Sequence, residues 1–208
     1  MDVYMFGLFN KGSLLPLAGI DFGSQTIKAV TITGRPGKLH LESVAEVVTP
    51  KGTLVDYQLQ DIERVSQSLK TLKRLINGNS QYAATAVTGS NVITKVIQVD
   101  ARLSENELEN QVQLEAEQII PFPLDEVSLD FEILSLASDQ DRQEVLLSAA
   151  RTESVNGRVS ALAEAGMTTK VVDVGAHALG RAVLACQPEL LAWEKPVGVI
   201  DIGASAMT

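Results

Sequence analysis

One pattern, written twice, constrains this chain more than any other feature. Near one end the residues run Leu17-Ala18-Gly19-Ile20-Asp21-Phe22-Gly23-Ser24, and near the other Val197-Gly198-Val199-Ile200-Asp201-Ile202-Gly203-Ala204. In each, an apolar strand carries an acid at its end, and a glycine then opens a tight turn. A single Asp-x-Gly is simply a good turn. Two of them, each after an apolar strand and set at the ends of an α/β pattern, point to a duplicated fold with a site between its halves. Turns of this kind bring backbone N–H groups close to an anion, which suits Gly23 and the small Ser24. Hydroxyls at Ser24 and Thr26 can donate to phosphate oxygens, and Lys28 supplies positive charge. Magnesium keeps several waters and is anchored through few carboxylates, a role open to Asp21 and Asp201.

Between the two turns the chain reads as alternating strands and helices. A hairpin is predicted at about 17–32, then turn chemistry at Gly34-Arg35-Pro36-Gly37, and a third strand at 39–48. Asp61 reads as the N-cap of a helix whose Ile62, Val65, Leu69, Leu72 and Ile76 form one apolar stripe, with Gly78 as its stop. Two β-rich runs, 83–87 and 92–99, flank Thr88-Gly89-Ser90-Asn91 and predict a second hairpin. Ser104 and Glu107 form a capping-box signature for a helix carrying Leu108, Val112, Ala116 and Ile119, which Pro121 and Pro123 end. Strands at 127–136 and 143–150, joined by the polar turn 138–142, precede a helix at 153–165 ending at Gly166. A strand to Val174, a short Ala/Leu-rich helix closed by Pro188, and the second Asp-containing strand complete the order. The block 83–166 reads as an α/β insertion of its own.

Charge and composition remove several classes. A net charge of −9 and 4% aromatic residues argue against nucleic acid, which needs clustered cations and stacking surfaces. The single cysteine, Cys186, excludes an internal disulfide, and two histidines are too few for a His-based metal site. No apolar run approaches a bilayer span, and residues 1–16 lack signal-peptide features, so a cytoplasmic protein is expected. Phe6, Leu8 and Phe9 suit a membrane or partner contact, or else a leader whose true start is Met5.

Residues 17–30 resemble the first phosphate motif of the actin-like ATPase superfamily, which includes actin, sugar kinases and the division protein FtsA. Residues 197–204 resemble its second. Within it the chain is most similar to the PilM family of the type IV pilus inner-membrane platform. The similarity rests on Met5-Phe6-Gly7-Leu8-Phe9, on Val92-Ile93-Thr94-Lys95-Val96-Ile97-Gln98, and on the Glu-rich helix running into Ile120-Pro121-Phe122-Pro123-Leu124-Asp125-Glu126-Val127. Lys170-Val171-Val172-Asp173-Val174 adds to it. The resemblance implies a ribonuclease H-like α/β fold. Subdomain 1A would hold residues 1–82 and 167–196, with an FtsA-like subdomain 1C at 83–166 and the start of subdomain 2A at 197–208. It implies ATP and Mg2+ between the halves. Gly23, Ser24, Gln25, Thr26 and Lys28 would then surround the phosphates, Gly203 and Ala204 would form the second turn, and Asp21 and Asp201 would lie near the metal. It also implies a partner, the N-terminal cytoplasmic segment of a PilN-like membrane protein. Other pilus platform and motor proteins and self-association are further partners, and the place is the cytoplasmic side of the inner membrane.

The sequence departs from that pattern in two ways. The helix expected to position attacking water reads Asp173-Val174-Gly175-Ala176-His177-Ala178-Leu179-Gly180. Its glycines weaken it by about 1 kcal/mol each, and His177 reads as a packed residue, so no catalytic residue is assigned and at most slow hydrolysis is expected. Family members also continue well beyond the second phosphate motif, so weak or no ATP binding is expected of this chain. Phe122 and Leu124, on a stiff Pro-flanked loop, suit a partner contact or a core. The alternatives are a sugar-kinase-type phosphotransferase on the same fold and a nucleotide-independent adaptor.

Overall fold

A computed structural model describes residues 17–35, 38–76, 80–89, 92–136 and 141–207. Outside them lie residues 1–16 with Met5, Phe6, Leu8 and Phe9, the turn at Pro36 and Gly37, the Gly78 stop, Ser90 and Asn91, and most of the 138–142 turn.

The strands are β1 (Leu17–Phe22), β2 (Thr26–Arg35), β3 (Lys38–Val48), β4 (Leu54–Val55), β5 (Gln58–Leu59), β6 (Tyr82–Val87), β7 (Val92–Asp100), β8 (Val127–Leu136), β9 (Arg142–Arg151) and β10 (Thr168–Val174). The helices are α1 (Ile62–Leu75), α2 (Glu105–Ile119), α3 (Thr152–Glu164) and α4 (Gly175–Cys186). Strands β10-β6-β1-β2-β3 form one mixed sheet, in which β1, β2 and β3 make an antiparallel meander and β1, β6 and β10 run parallel.

Alternation along β1 and β2 buries Ala18, Ile20, Phe22, Ile27 and Ala29 on one face. The predicted α1 stripe packs there, with Val65, Leu69 and Leu72 fully buried, and α3 adds Ala161 and Leu162. Asp61 accepts a 3.0 Å bond from the Arg64 N–H, so it caps α1 as its position predicted. Gly166, at φ +77, ends α3, and Lys73 of α1 donates to its carbonyl at 2.6 Å.

The second sheet is antiparallel, in the order β7-β9-β8. Helix α2 covers one face, its Leu108, Val112 and Ala116 meeting Ile97, Val99, Val145, Leu147 and Ala149. Glu107 accepts from the Ser104 N–H at 2.9 Å and from the Ser104 hydroxyl at 2.6 Å, which holds the first turn as the capping signature required.

Three expectations need correction. Residues 82–99 do not form a hairpin: β6 lies between β1 and β10, and β7 pairs with β9 in the other sheet. Each run has the right alternation, but their buried faces enter different cores, Ala83 one and Ile97 and Val99 another. Consequently the first strand and last helix of the block expected at 83–166 pack on the larger sheet, and the smaller unit consists of β7, α2, β8 and β9. Finally, residues 197–203 form no ladder strand. An extended segment needs hydrogen-bonding neighbours, and among the described residues this one has only the isolated Ile202–Met207 bridge and the Gly203–Ala206 turn bond. A two-residue hairpin was also missed: Asp56 (φ 47) and Tyr57 (φ 63) join β4 to β5 in left-handed conformations without a glycine.

Candidate functional site

Strand β1 delivers Asp21 to the end of the sheet, where register sets it opposite Lys28 of β2. The Lys28 ammonium lies 3.2 Å from the Asp21 carboxylate, and both side chains are exposed. An exposed pair of this kind contributes about 1 kcal/mol or less, so it opens readily for an incoming anion or cation.

The turn after β1 closes through a 3.1 Å bond from the Gly23 N–H to the Thr26 carbonyl. A Cβ on Gly23 would stand 2.6 Å from that carbonyl oxygen, closer than any side chain is tolerated. Thr49, just beyond β3, straps the turn from behind: its hydroxyl donates to the Gly23 carbonyl at 2.7 Å and its N–H to the Gln25 carbonyl at 2.8 Å. Two carbonyls of the turn are thereby held by Thr49, which fixes its backbone from that side. Thr49 had no signal in the sequence, because its partners are backbone atoms distant along the chain.

The second turn repeats the first in miniature. The Gly203 N–H donates to the Ala206 carbonyl at 2.9 Å, and a Cβ on Gly203 would lie 3.0 Å from that oxygen. The two turns touch: the Ser205 hydroxyl donates to the Ser24 hydroxyl at 2.9 Å. Gly23, Ser24, Gly203 and Ala204 are thereby gathered at one place, although 181 residues separate the two serines. Asp201, two residues before Gly203 in the chain, is exposed. Phe122 and Leu124 lie elsewhere, half-buried against the core of the smaller sheet, and Arg151 stacks 4.2 Å above the Phe122 ring.

A third carboxylate stands in the same row. Asp173 of β10 pairs with Ala86 of β6, and on the other side of β6 the last pair is Ile20 with Thr85, each one residue before Asp21 and Ala86. Asp21 and Asp173 therefore stand on either side of β6 at the ends of three parallel strands, two strand spacings or about 10 Å apart. Asp173 is 8% exposed, accepts a 2.7 Å bond from the Val174 N–H and pairs with Arg181 of α4. Its signal was present in the sequence: Val172-Asp173-Val174-Gly175 is a third apolar-Asp-apolar-Gly run, opening into a helix where the others open into hairpins. Gly175 is needed for packing, since a Cβ there would lie 2.1 Å from the Thr88 methyl, whereas Gly180 faces open space.

Among the described residues no group of three or more His, Cys, Asp or Glu could hold a metal. Nor is any described helix long and apolar enough to cross a membrane.

A family model described as type IV pilus assembly protein PilM matches residues 19–208. In the PilM–PilN type IV pilus biogenesis complex, one chain superposes with a TM-score of 0.76 at 33% identity, covering 92% of this chain and 56% of that one. The chain thus spans 56% of the length of that relative. The actin-like α/β fold that the resemblance implied is borne out by this match. The cytoplasmic domain of EpsL, an inner membrane component of the type II secretion system of Vibrio cholerae, matches at 13% identity and a TM-score of 0.48, over 76% of this chain and 56% of that one. The ethanolamine utilization protein EutJ from Carboxydothermus hydrogenoformans matches at 15% identity and 0.40, over 84% and 42%. These last two carry no further argument.

Proposed function

The chain belongs to the family of type IV pilus assembly protein PilM, and we propose that it acts in pilus assembly as a nucleotide-binding scaffold that docks the N-terminal cytoplasmic segment of a PilN-like membrane protein. The observation that carries the nucleotide half is the contact between Ser24 and Ser205, which joins the two glycine turns at one point. Gly23, Ser24, Gln25 and Thr26 would cradle the terminal phosphates of ATP from one side, with Gly203 and Ala204 on the other. Lys28 would leave Asp21 to meet the phosphate charge. Gly23 is required because any Cβ would strike the Thr26 carbonyl oxygen at 2.6 Å, so only glycine closes this turn.

The donor set fits a hydrated Mg2+, which takes one or two carboxylates and fills its remaining positions with water and phosphate. Asp21 and Asp201 would hold it through water, and Asp173, steadied by Arg181, would orient a water at the edge of the same row. Bound Mg2+ would supply neutralisation of phosphate charge. No residue here is placed as a general base, so turnover, where it occurs, is slow.

The partner half rests on 33% identity over 92% of this chain to a PilM solved with PilN. The groove would lie between the larger sheet with α3 and the smaller unit of β7, α2, β8 and β9, with Phe122 and Leu124 at its margin. Such docking holds the protein at the cytoplasmic face of the inner membrane. Calorimetric titration with a peptide of the PilN N-terminus, with and without Mg-ATP, tests both halves in wild type and Asp21→Ala. Mg-ATP is expected to tighten the peptide in wild type alone. Equal tightening in both proteins removes Asp21 from the mechanism, no effect in either leaves a nucleotide-independent adaptor, and no peptide binding removes the scaffold reading.

A further inference from the structure

Arg158 of α3 is a buried cation that no carboxylate contacts directly among the described residues. It is 2% exposed, and among the described residues it forms no ion pair. Its guanidinium donates to the Ser154 carbonyl and to the Tyr57 carbonyl, each at 2.9 Å, while Nε has no partner. It stands 5.7 Å from the centroid of the Phe22 ring, and Phe22 sits between Asp21 and Gly23. Burial draws the guanidinium pKa down to about 10, against the opposing charge of Asp21, so the side chain is still a cation at neutral pH.

Leaving such a group in the interior is costly, and an apolar methionine would avoid that desolvation. What the guanidinium alone can do is bridge. On one side it backs the ring next to the Asp21 turn. On the other it grips the carbonyl of Tyr57, one of two left-handed residues in the β4–β5 hairpin. The Tyr57 ring in turn lies against Gly89, where a Cβ would meet it at 2.6 Å and where the backbone is at φ +93. Gly89 belongs to the crossing from β6 into β7, the entry to the smaller sheet.

We propose that Arg158 is a positioning residue, a strut that couples the Asp21 turn to the entry of the smaller sheet through Phe22 on one side and Tyr57 and Gly89 on the other. Occupancy of the turn is thereby carried to the unit that would form one wall of the partner groove. Its use in signalling rests on the nucleotide reading above, whereas the mechanical link does not.

Amide hydrogen exchange on the full chain separates the two. In Arg158→Met, which keeps the stem and removes the donors, exchange at 23–25 and at 89 and 92–93 should both rise by about tenfold or more, the scale of one charged hydrogen bond. The α1 core at 65–72 should be unchanged. Arg158→Lys should restore the turn but not the crossing, because one ammonium can stand over Phe22 without spanning both carbonyls. Tyr57→Gly suits the left-handed backbone and removes only the ring, so it should free the crossing and leave the turn protected. If either end stays at wild-type protection in Arg158→Met, or if Tyr57→Gly also loosens the turn, the strut is wrong. Should Arg158→Met not fold, Arg158→Lys and Tyr57→Gly decide the question alone. Added Mg-ATP should protect 92–100 in wild type and not in Arg158→Met. Protection at neither end in wild type overturns the nucleotide reading, and the ligand-free arm still judges the strut.

Discussion

Ser205 donates a 2.9 Å hydrogen bond to Ser24, so the two glycine turns meet hydroxyl to hydroxyl. The bond is exposed, and by itself it adds little stability. Its meaning is positional: two hydroxyls pointing at one another can both turn toward an oxyanion placed between the turns, each exchanging a neutral bond for a charge-assisted one.

Ser24→Ala and Ser205→Ala should therefore each weaken Mg-ATP binding by about tenfold, the worth of one hydrogen bond to a charged group. Neither should shift the melting temperature. Calorimetric affinities equal to wild type in both variants would remove the turns from the anion site.

Two glycines of α4 should respond in opposite directions. Gly175→Ala drives a methyl to 2.1 Å from the Thr88 side chain, which must move, so the melting temperature should fall. Gly180→Ala meets nothing and gains helix propensity of about 1 kcal/mol. For a chain of this size that is a rise of about 2–4 °C in a thermal scan.

Asp173→Asn keeps the shape of the side chain but leaves Arg181 without its anion. Since Arg181 is half exposed, the stability loss should stay near 1 kcal/mol or below. If Asp173 orients metal-bound water, the Mg2+ dependence of ATP binding should nevertheless weaken clearly. An unaltered Mg2+ titration would return Asp173 to a purely structural role.

Asp100 predicts a pH effect with a definite sign. Hydrogen bonds from Arg102, side chain first and backbone second, lower its pKa from 3.8 to about 2. A carboxyl group depressed in the folded state stabilises above its unfolded pKa and loses that contribution as pH falls through the folded one. The stability difference between wild type and Asp100→Asn should therefore be constant above about pH 4 and shrink between pH 4 and about 2. Urea denaturation across that range measures it.

Local signals in the sequence carried the helices and the first turn well. The α1 stripe, the Asp61 cap and the Ser104–Glu107 box each depend on residues within one or two turns of one another, where spacing alone decides the outcome. The failure at 82–99 has the opposite cause. Alternation in 83–87 and 92–99 says that each is a strand but not which sheet it joins, and the register that sets Ala18 against Ala83 appears nowhere in the local pattern. Asp173 was legible as a third copy of the Asp-x-Gly run. Its importance lies in the register that aligns it with Asp21, which only the folded sheet supplies. Thr49 and Arg158 were silent, because both act on backbone carbonyls of remote residues.

Helix α3 closes two interiors at once. Ala161 and Leu162 complete the core beneath the larger sheet, while Val155 meets Ala150 of β9 together with Val87 and Val172. The smaller unit is thus not a detachable module. A graft that exchanged only β7 through β9 between relatives would leave Val87, Val155 and Val172 facing an unmatched surface, so these three positions must change in step with the unit they support. The inserted sheet and the helix behind it form one heritable piece, whose boundary runs along a side-chain face and not between two residues of the chain.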